Sequence, residues 1–199
     1  MGDDGPDLSA VGTLLAEDAG IKGIWCVPKY SNPTGAIYAD DTVDRLAGME
    51  TAAPDFRVFW DDAYSVHHLT EARPVVKNFY ETWVDAGSPD RPYMFVSTSK
   101  ISIPGAELSA FAASAANIAD IARKMSFQTI GPDKLNQLRH TRFFKGLAGI
   151  ESQMEKHAAL IGAKFDAVSA ALTKHSGVDR SGALTQAHGR LFLQCRSSR

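Results

Sequence analysis

Cysteine is nearly absent: 199 residues contain two, Cys26 and Cys195, which excludes a disulfide framework. Neither stands in a CxxC or other metal-ligand spacing, so no zinc site is indicated, and Cys26, inside an apolar run, reads as a small buried strand residue. Charge of one sign is missing too. Lysine and arginine number 21 against 23 acidic residues, a net charge of -2, which leaves no field for nucleic acid. No apolar run approaches the ~18 residues needed to cross a bilayer. The opening stretch Met1-Gly2-Asp3-Asp4-Gly5-Pro6-Asp7 is acidic and turn-forming, opposite to the basic and then apolar order of an export signal, and a cytoplasmic location is the expectation. What is there is ordinary for a globular protein, 44% apolar and 22% charged, with chain enough for one core. Its expected partner is a small molecule or another protein.

Two kinds of apolar spacing alternate along the chain. Val11, Leu14 and Leu15 mark a short helix with one apolar side, and Gly23-Ile24-Trp25-Cys26-Val27 reads as a buried strand. Val43, Leu46 and Met49 predict a helix from about Asp41 to Ala52, which Pro54 breaks ahead of the strand Arg57-Val58-Phe59-Trp60-Asp61. A helical stretch near Val75 to Asp85, the turn Gly87-Ser88-Pro89-Asp90 and the strand Tyr93-Met94-Phe95-Val96-Ser97 repeat that order. The alternation predicts an α/β fold, a parallel-dominated sheet with helical cover, whose ligand sits beyond the carboxyl ends of the strands. Leu108 to Ser114 is a further predicted strand. Asn117 is read as the cap of a helix through Met125, and Gly131-Pro132 as the opening of another through Phe144. The last predicted helix, Ile150 to Lys174, is the longest, with Met154, Ala158, Ile161, Phe165, Val168 and Leu172 in one apolar stripe.

Three segments carry candidate chemistry, each just past a predicted strand. Asn32-Pro33-Thr34-Gly35 is a turn by composition, since Pro33 fixes φ, Gly35 permits positive φ and Asn32, preceding proline, is extended. Asp61-Asp62-Ala63-Tyr64 sets carboxylates at a strand end, where capping is the ordinary role, and Asp62 is read as a turn or helix-capping group. Ser97-Thr98-Ser99-Lys100 ends an apolar run in small hydroxyls and one amine; a lysine so placed, taken alone, is usually a solvated one. His67 and His68 are adjacent, project differently and lack a carboxylate or thiol cluster, which favours a loop or substrate-edge position over a metal site. Arg123, Arg139 and Arg142 read as helix-surface charges.

In this order and spacing the segments resemble those of class I/II aminotransferases of fold type I, enzymes that use pyridoxal 5'-phosphate (PLP). The wording of Trp25 to Gly35 and of Thr129 to His140 is similar to the actinobacterial-type aspartate aminotransferase branch. The resemblance implies a three-layer α/β/α large domain, incomplete, over residues 1–148. A long helix toward a small domain over 149–176 and a divergent tail over 177–199 complete the expected organisation. It also implies transfer of an amino group from aspartate or glutamate to a 2-oxo acid by a ping-pong Schiff-base mechanism. Lys100 would hold the cofactor and act as general base. Asp61 would pair with the pyridine nitrogen, Asn32 and Tyr64 would meet the ring oxygen, and Ser97, assisted by Ser99, would bind the phosphate. The full-length parent would be a homodimer.

The sequence departs from that pattern in places. Ile101 to Leu108 replaces the small residues and glycines expected there, Leu108 stands where relatives place a phosphate-holding arginine, and Glu107 would repel a phosphate if it faced inward. The relatives' upstream phosphate loop has no match here, and neither Arg196 nor Arg199 matches the surroundings of their carboxylate-gripping arginine. The expectation is a central fragment of the enzyme, with a truncated, catalytically inactive fragment as the alternative. Thr185 to Cys195, shifted by one nucleotide, can read as the family's small-domain strand, so the tail is expected to follow a frameshift.

Overall fold

The computed structural model describes residues 1–175. Strands β1 (Gly23–Cys26), β2 (Arg57–Asp61), β3 (Pro92–Ser97) and β4 (Ser109–Ala112) form one sheet in that order. The first three run parallel, with Trp25 opposite Phe59 and Phe59 opposite Tyr93, and β4 is antiparallel to β3 with Phe111 opposite Phe95. The sheet is therefore parallel-dominated, and the carboxyl ends of β1, β2 and β3 share one edge.

Alternate residues of a strand project to opposite faces. On β2, Val58 and Trp60 are buried while Phe59 and Asp61 face the other way. The buried face packs on helices α1 (Leu8–Glu17), α2 (Asp40–Ala47) and α3 (Phe79–Asp85). Leu15, Val43, Leu46, Phe79 and Trp83 join Val58 and Trp60 in that core, where Trp60 stacks on Phe79 with ring centres 3.9 Å apart. Across the opposite face the rings of Trp25, Phe59 and Phe95 lie in nearly parallel planes, with Trp25 61% exposed.

Several element ends differ from the sequence reading, and local hydrogen bonds account for them. Helix α2 stops at Gly48 rather than Ala52, because the chain turns there and the Ala52 N–H donates to the Leu15 carbonyl at 2.7 Å. Helix α3 starts at Phe79, not Val75, since the Asn78 side chain accepts the Glu81 N–H and caps it. Ser114, not Asn117, caps α4 (Ala115–Met125); Asn117 is buried inside the first turn and donates to the Asp90 carbonyl. Asp133 caps α5 (Lys134–Phe144), which leaves Gly131-Pro132 outside the helix. The long helix α6 (Leu147–His175) begins earlier than predicted, after Lys145 and Gly146, both at positive φ. Its stripe buries Met154 against Ile101 and Phe144, whereas Val168 is 49% exposed. The expected frameshifted tail, with Cys195, Arg196 and Arg199, lies outside the described residues. No helix among the described residues is long and apolar enough to cross a membrane.

Candidate active site

Beyond β1 the chain folds back on itself. The Tyr38 N–H donates to the Pro28 carbonyl at 2.8 Å and the Ser31 N–H to the Ala36 carbonyl at 3.0 Å, while Gly35, at φ 72°, lets the turn close. Asn32 is exposed at this turn. Tyr30 is buried, and burial pushes its phenol up to about 12. The hydroxyl therefore keeps its proton and shares a hydrogen bond with His68 Nδ1, 2.8 Å away.

Asp61 closes β2 on the open face of the sheet, where its carboxylate accepts the Trp25 indole N–H at 3.3 Å. Asp61 stands opposite Phe95, so Ser97, two residues further along β3, shares that face. The Ser97 hydroxyl meets that of Ser99, and the exposed Lys100 follows on a turn in which the Thr98 carbonyl accepts from the Ile101 and Ser102 N–H groups. The Tyr64 ring packs edge-on against His67, and His67 Nε2 lies 3.1 Å from the Lys100 carbonyl. A carbonyl only accepts, so Nε2 carries the proton; burial holds the pKa of His67 below its usual value and keeps the ring neutral, against smaller upward contributions from backbone bonds. The adjacent histidines thus reach opposite ways. His68 ties the second segment to the first and His67 ties it to the third, which is how Asn32-Pro33-Thr34-Gly35, Asp61 to Tyr64 and Ser97 to Lys100 come together at one sheet edge.

The sequence profile described as aspartate amino-transferase matches residues 1–196. The chain belongs to that family. It is 46% identical over 168 residues to the aspartate aminotransferase of Corynebacterium glutamicum, covering 84% of this chain and 39% of that protein. The crystal structure of an aspartate transaminase from Corynebacterium glutamicum superposes with a TM-score of 0.84 at 45% identity, over 87% of this chain and 41% of that one. The alpha-aminoadipate aminotransferase of Thermus thermophilus, solved with N-(5'-phosphopyridoxyl)-L-leucine, shares the fold with a TM-score of 0.71 at 24% identity, over 88% of this chain and 43% of that chain. The chain thus spans about two fifths of the length of these relatives, and its mixed four-stranded sheet is a partial fold type I aminotransferase domain.

Around this aminotransferase motif set lie groups whose surroundings the sequence reading did not foresee. Asp62 heads the turn over 63–66, where its carbonyl accepts the Ser65 N–H and its side chain bonds Ser65, and it is half-buried beside Lys29 in a cavity of about 290 Å³ that Ser65 and Asn78 also line. Burial raises the Asp62 carboxyl, against the Lys29 charge that lowers it, with Asp61 adding to the rise. Burial likewise lowers the Lys29 ammonium, against the attraction of Asp62. Trp25 is the other such group, its N–H reaching from β1 to Asp61 on β2. Nothing in a lone tryptophan or lysine near a strand end marks such a role. Cys26 is fully buried and its thiol is pushed up to about 11, which fits an inert strand residue. Arg123 pairs with Asp120 at the surface, and the exposed Arg139 and Arg142 line a separate cavity of about 470 Å³ beside α5. Glu107 is exposed and the turn uses only its carbonyl, as acceptor for Asn136.

Proposed function

We propose that this chain is the central part of a PLP-dependent aminotransferase that moves the amino group of aspartate or glutamate to a 2-oxo acid. The observation that supports the reading is the parallel run of β1, β2 and β3, whose carboxyl ends lead into the Asn32 turn, Asp61 and Lys100 at one edge of the sheet, with histidine contacts to Tyr30 and to the Lys100 carbonyl tying the segments. A carboxylate for the ring nitrogen, two hydroxyls for the phosphate and an amine for the aldehyde are part of the set that a phosphorylated pyridine aldehyde requires, so the residues present fit this cofactor. When bound, PLP supplies an aldehyde for an amine and a cationic ring that draws electrons from the substrate carbon.

Within that reading, Asp61 holds the proton on the ring nitrogen, because a carboxylate facing it favours the charged form. Tyr64 and Asn32 orient the ring oxygen, and Ser97 with Ser99 offers hydroxyls to the phosphate. Lys100 Nζ would hold the cofactor and, once displaced by the incoming amino acid's amine, would be free to take its α-proton as general base. Residues 1–148 belong to the cofactor-holding domain and 149–176 to its connection with a small domain. The whole protein acts as a cytoplasmic homodimer.

Absorbance spectra of the purified chain with PLP, followed by borohydride, compare the natural sequence with Lys100→Ala. A lysine-dependent band discharged by aspartate or glutamate is expected. Absence of the band, or a band indifferent to the substitution, would establish the alternative of an inactive fragment.

A further inference from the structure

Helix α5 contains no residue of the proposed chemistry, yet it grips the lysine turn at both ends. His140 Nδ1 lies 2.9 Å from the Asn136 carbonyl one turn earlier. Since a carbonyl only accepts, Nδ1 carries the proton and Nε2 presents a lone pair. Two hydroxyls converge on that nitrogen, Ser102 Oγ at 2.8 Å and Thr98 Oγ1 at 3.1 Å. They belong to the residues two positions after and two positions before Lys100. Thr98 is itself the hub of the turn: its hydroxyl accepts the Leu108 N–H at 2.8 Å, and its carbonyl accepts from the N–H groups of Ile101 at 2.9 Å and Ser102 at 2.8 Å. Asn136, four residues before His140 and so on the same helix face, donates from Nδ2 to the Glu107 carbonyl at 3.1 Å. The carbonyl partner fixes which end of the amide points there.

We propose that α5 is a brace for the turn from Thr98 to Leu108 and that His140 is the positioning residue that sets the direction of Lys100. The inference rests on the reading of Lys100 as the cofactor-binding lysine. A side chain held by a helix is placed more sharply than one held by a loop alone. With both hydroxyls released from Nε2, the turn keeps its backbone bonds and the tie from Asn136 to Glu107 but loses its attachment to the helix at the end that carries Lys100.

The test treats the full 199-residue chain with PLP, then borohydride, and measures by peptide mass spectrometry the label on Lys100 relative to the exposed Lys156 and Lys164. Amide hydrogen exchange of Ile101, Ser102 and Leu108 is followed in parallel. His140→Ala should lower the relative labelling of Lys100 about tenfold and speed exchange in the turn, the loss of one acceptor shared by two hydroxyls being of that order. His140→Gln, whose amide oxygen can accept the hydroxyls, should restore part of both. Ser102→Ala, which removes a donor without emptying the helix face, repeats the comparison if His140→Ala fails to fold. Preferential labelling of Lys100 that His140→Ala and Ser102→Ala leave unchanged overturns the inference, whether or not exchange speeds up. No preference for Lys100 in the natural chain overturns the functional reading and this inference with it.

Discussion

At the scale of single residues, protonation chemistry is concentrated where the three segments meet. His68 has its pKa lowered from 6.5 to about 4, first by burial and then by the positive charges of Lys29 and Arg73 and by His67. In the unfolded chain the same ring takes a proton near 6.5, so between pH 4 and 6.5 the unfolded state binds more protons. Folding stability therefore rises with pH through this window and is lost on acidification. Urea midpoints measured at pH 7.5 and pH 5 should differ, and His68→Gln should shrink that difference; an equal difference in the variant would refute the assignment. Trp25→Phe keeps a ring in the stack with Phe59 and Phe95 but deletes the donor to Asp61. We expect a loss of about 1 kcal/mol in a denaturant titration, the scale of one hydrogen bond, and weaker saturation by PLP in an absorbance titration.

At the scale of elements, the predictions concern ends and junctions, where short-range contacts decide. The cap of α3 is a single bond from the Glu81 N–H to the Asn78 side chain, and Asn78→Ala should cost about 1 kcal/mol of stability. The junction between α5 and α6 is tighter. A Cβ on Gly149 would collide with the Phe144 carbonyl, backbone against backbone, so Gly149→Ala must displace one helix start. It should destabilise by about 1–3 kcal/mol, read from the urea midpoint, with circular dichroism reporting loss of helix. These junctions are also where sequence reading had least purchase. Apolar runs and spacing located β1, β2 and β3 and the helices α1, α2 and α6, because burial of one face is a repeated signal, while α4 and α5 were read from cap and breaker residues. Helix starts depended on which of several polar residues turned inward: Ser114 reaches the Asn117 N–H and caps, whereas Asn117, equally able to cap by type, turns to the Asp90 carbonyl. That choice is made by the neighbouring loop.

At the scale of the whole molecule, the candidate site divides in the same way. The order and spacing of Asn32, Asp61, Tyr64, Ser97, Ser99 and Lys100 form one pattern, which is why the sequence alone offers them as candidates. The contacts of His67, His68, Lys29 and Trp25 were not legible, since each joins segments 33 to 38 residues apart or rests on burial that only the fold creates. The sheet leaves one large-scale consequence. Helices α1 to α3 occupy one face, while the other presents Trp25, Phe59, Tyr93, Phe95 and Phe111, each ring in contact with at least one other. Trp25 is 61% exposed at its edge. A contiguous apolar surface of a few hundred Å² or more is rare on a monomer and binds apolar partners. The chain should accordingly bind the dye 8-anilinonaphthalene-1-sulfonate while folded, with fluorescence enhanced before any urea is added. Phe95→Ser sits at the centre of the ring cluster and removes contacts to Trp25, Phe59 and Phe111 at once. It leaves the buried core of Val58, Trp60, Phe79 and Trp83 intact, because alternate residues of the sheet face opposite sides. Dye fluorescence should therefore fall severalfold in Phe95→Ser while circular dichroism is retained. Equal dye binding by the two chains, both folded, would mean that the aromatic face is not the apolar surface that solvent meets.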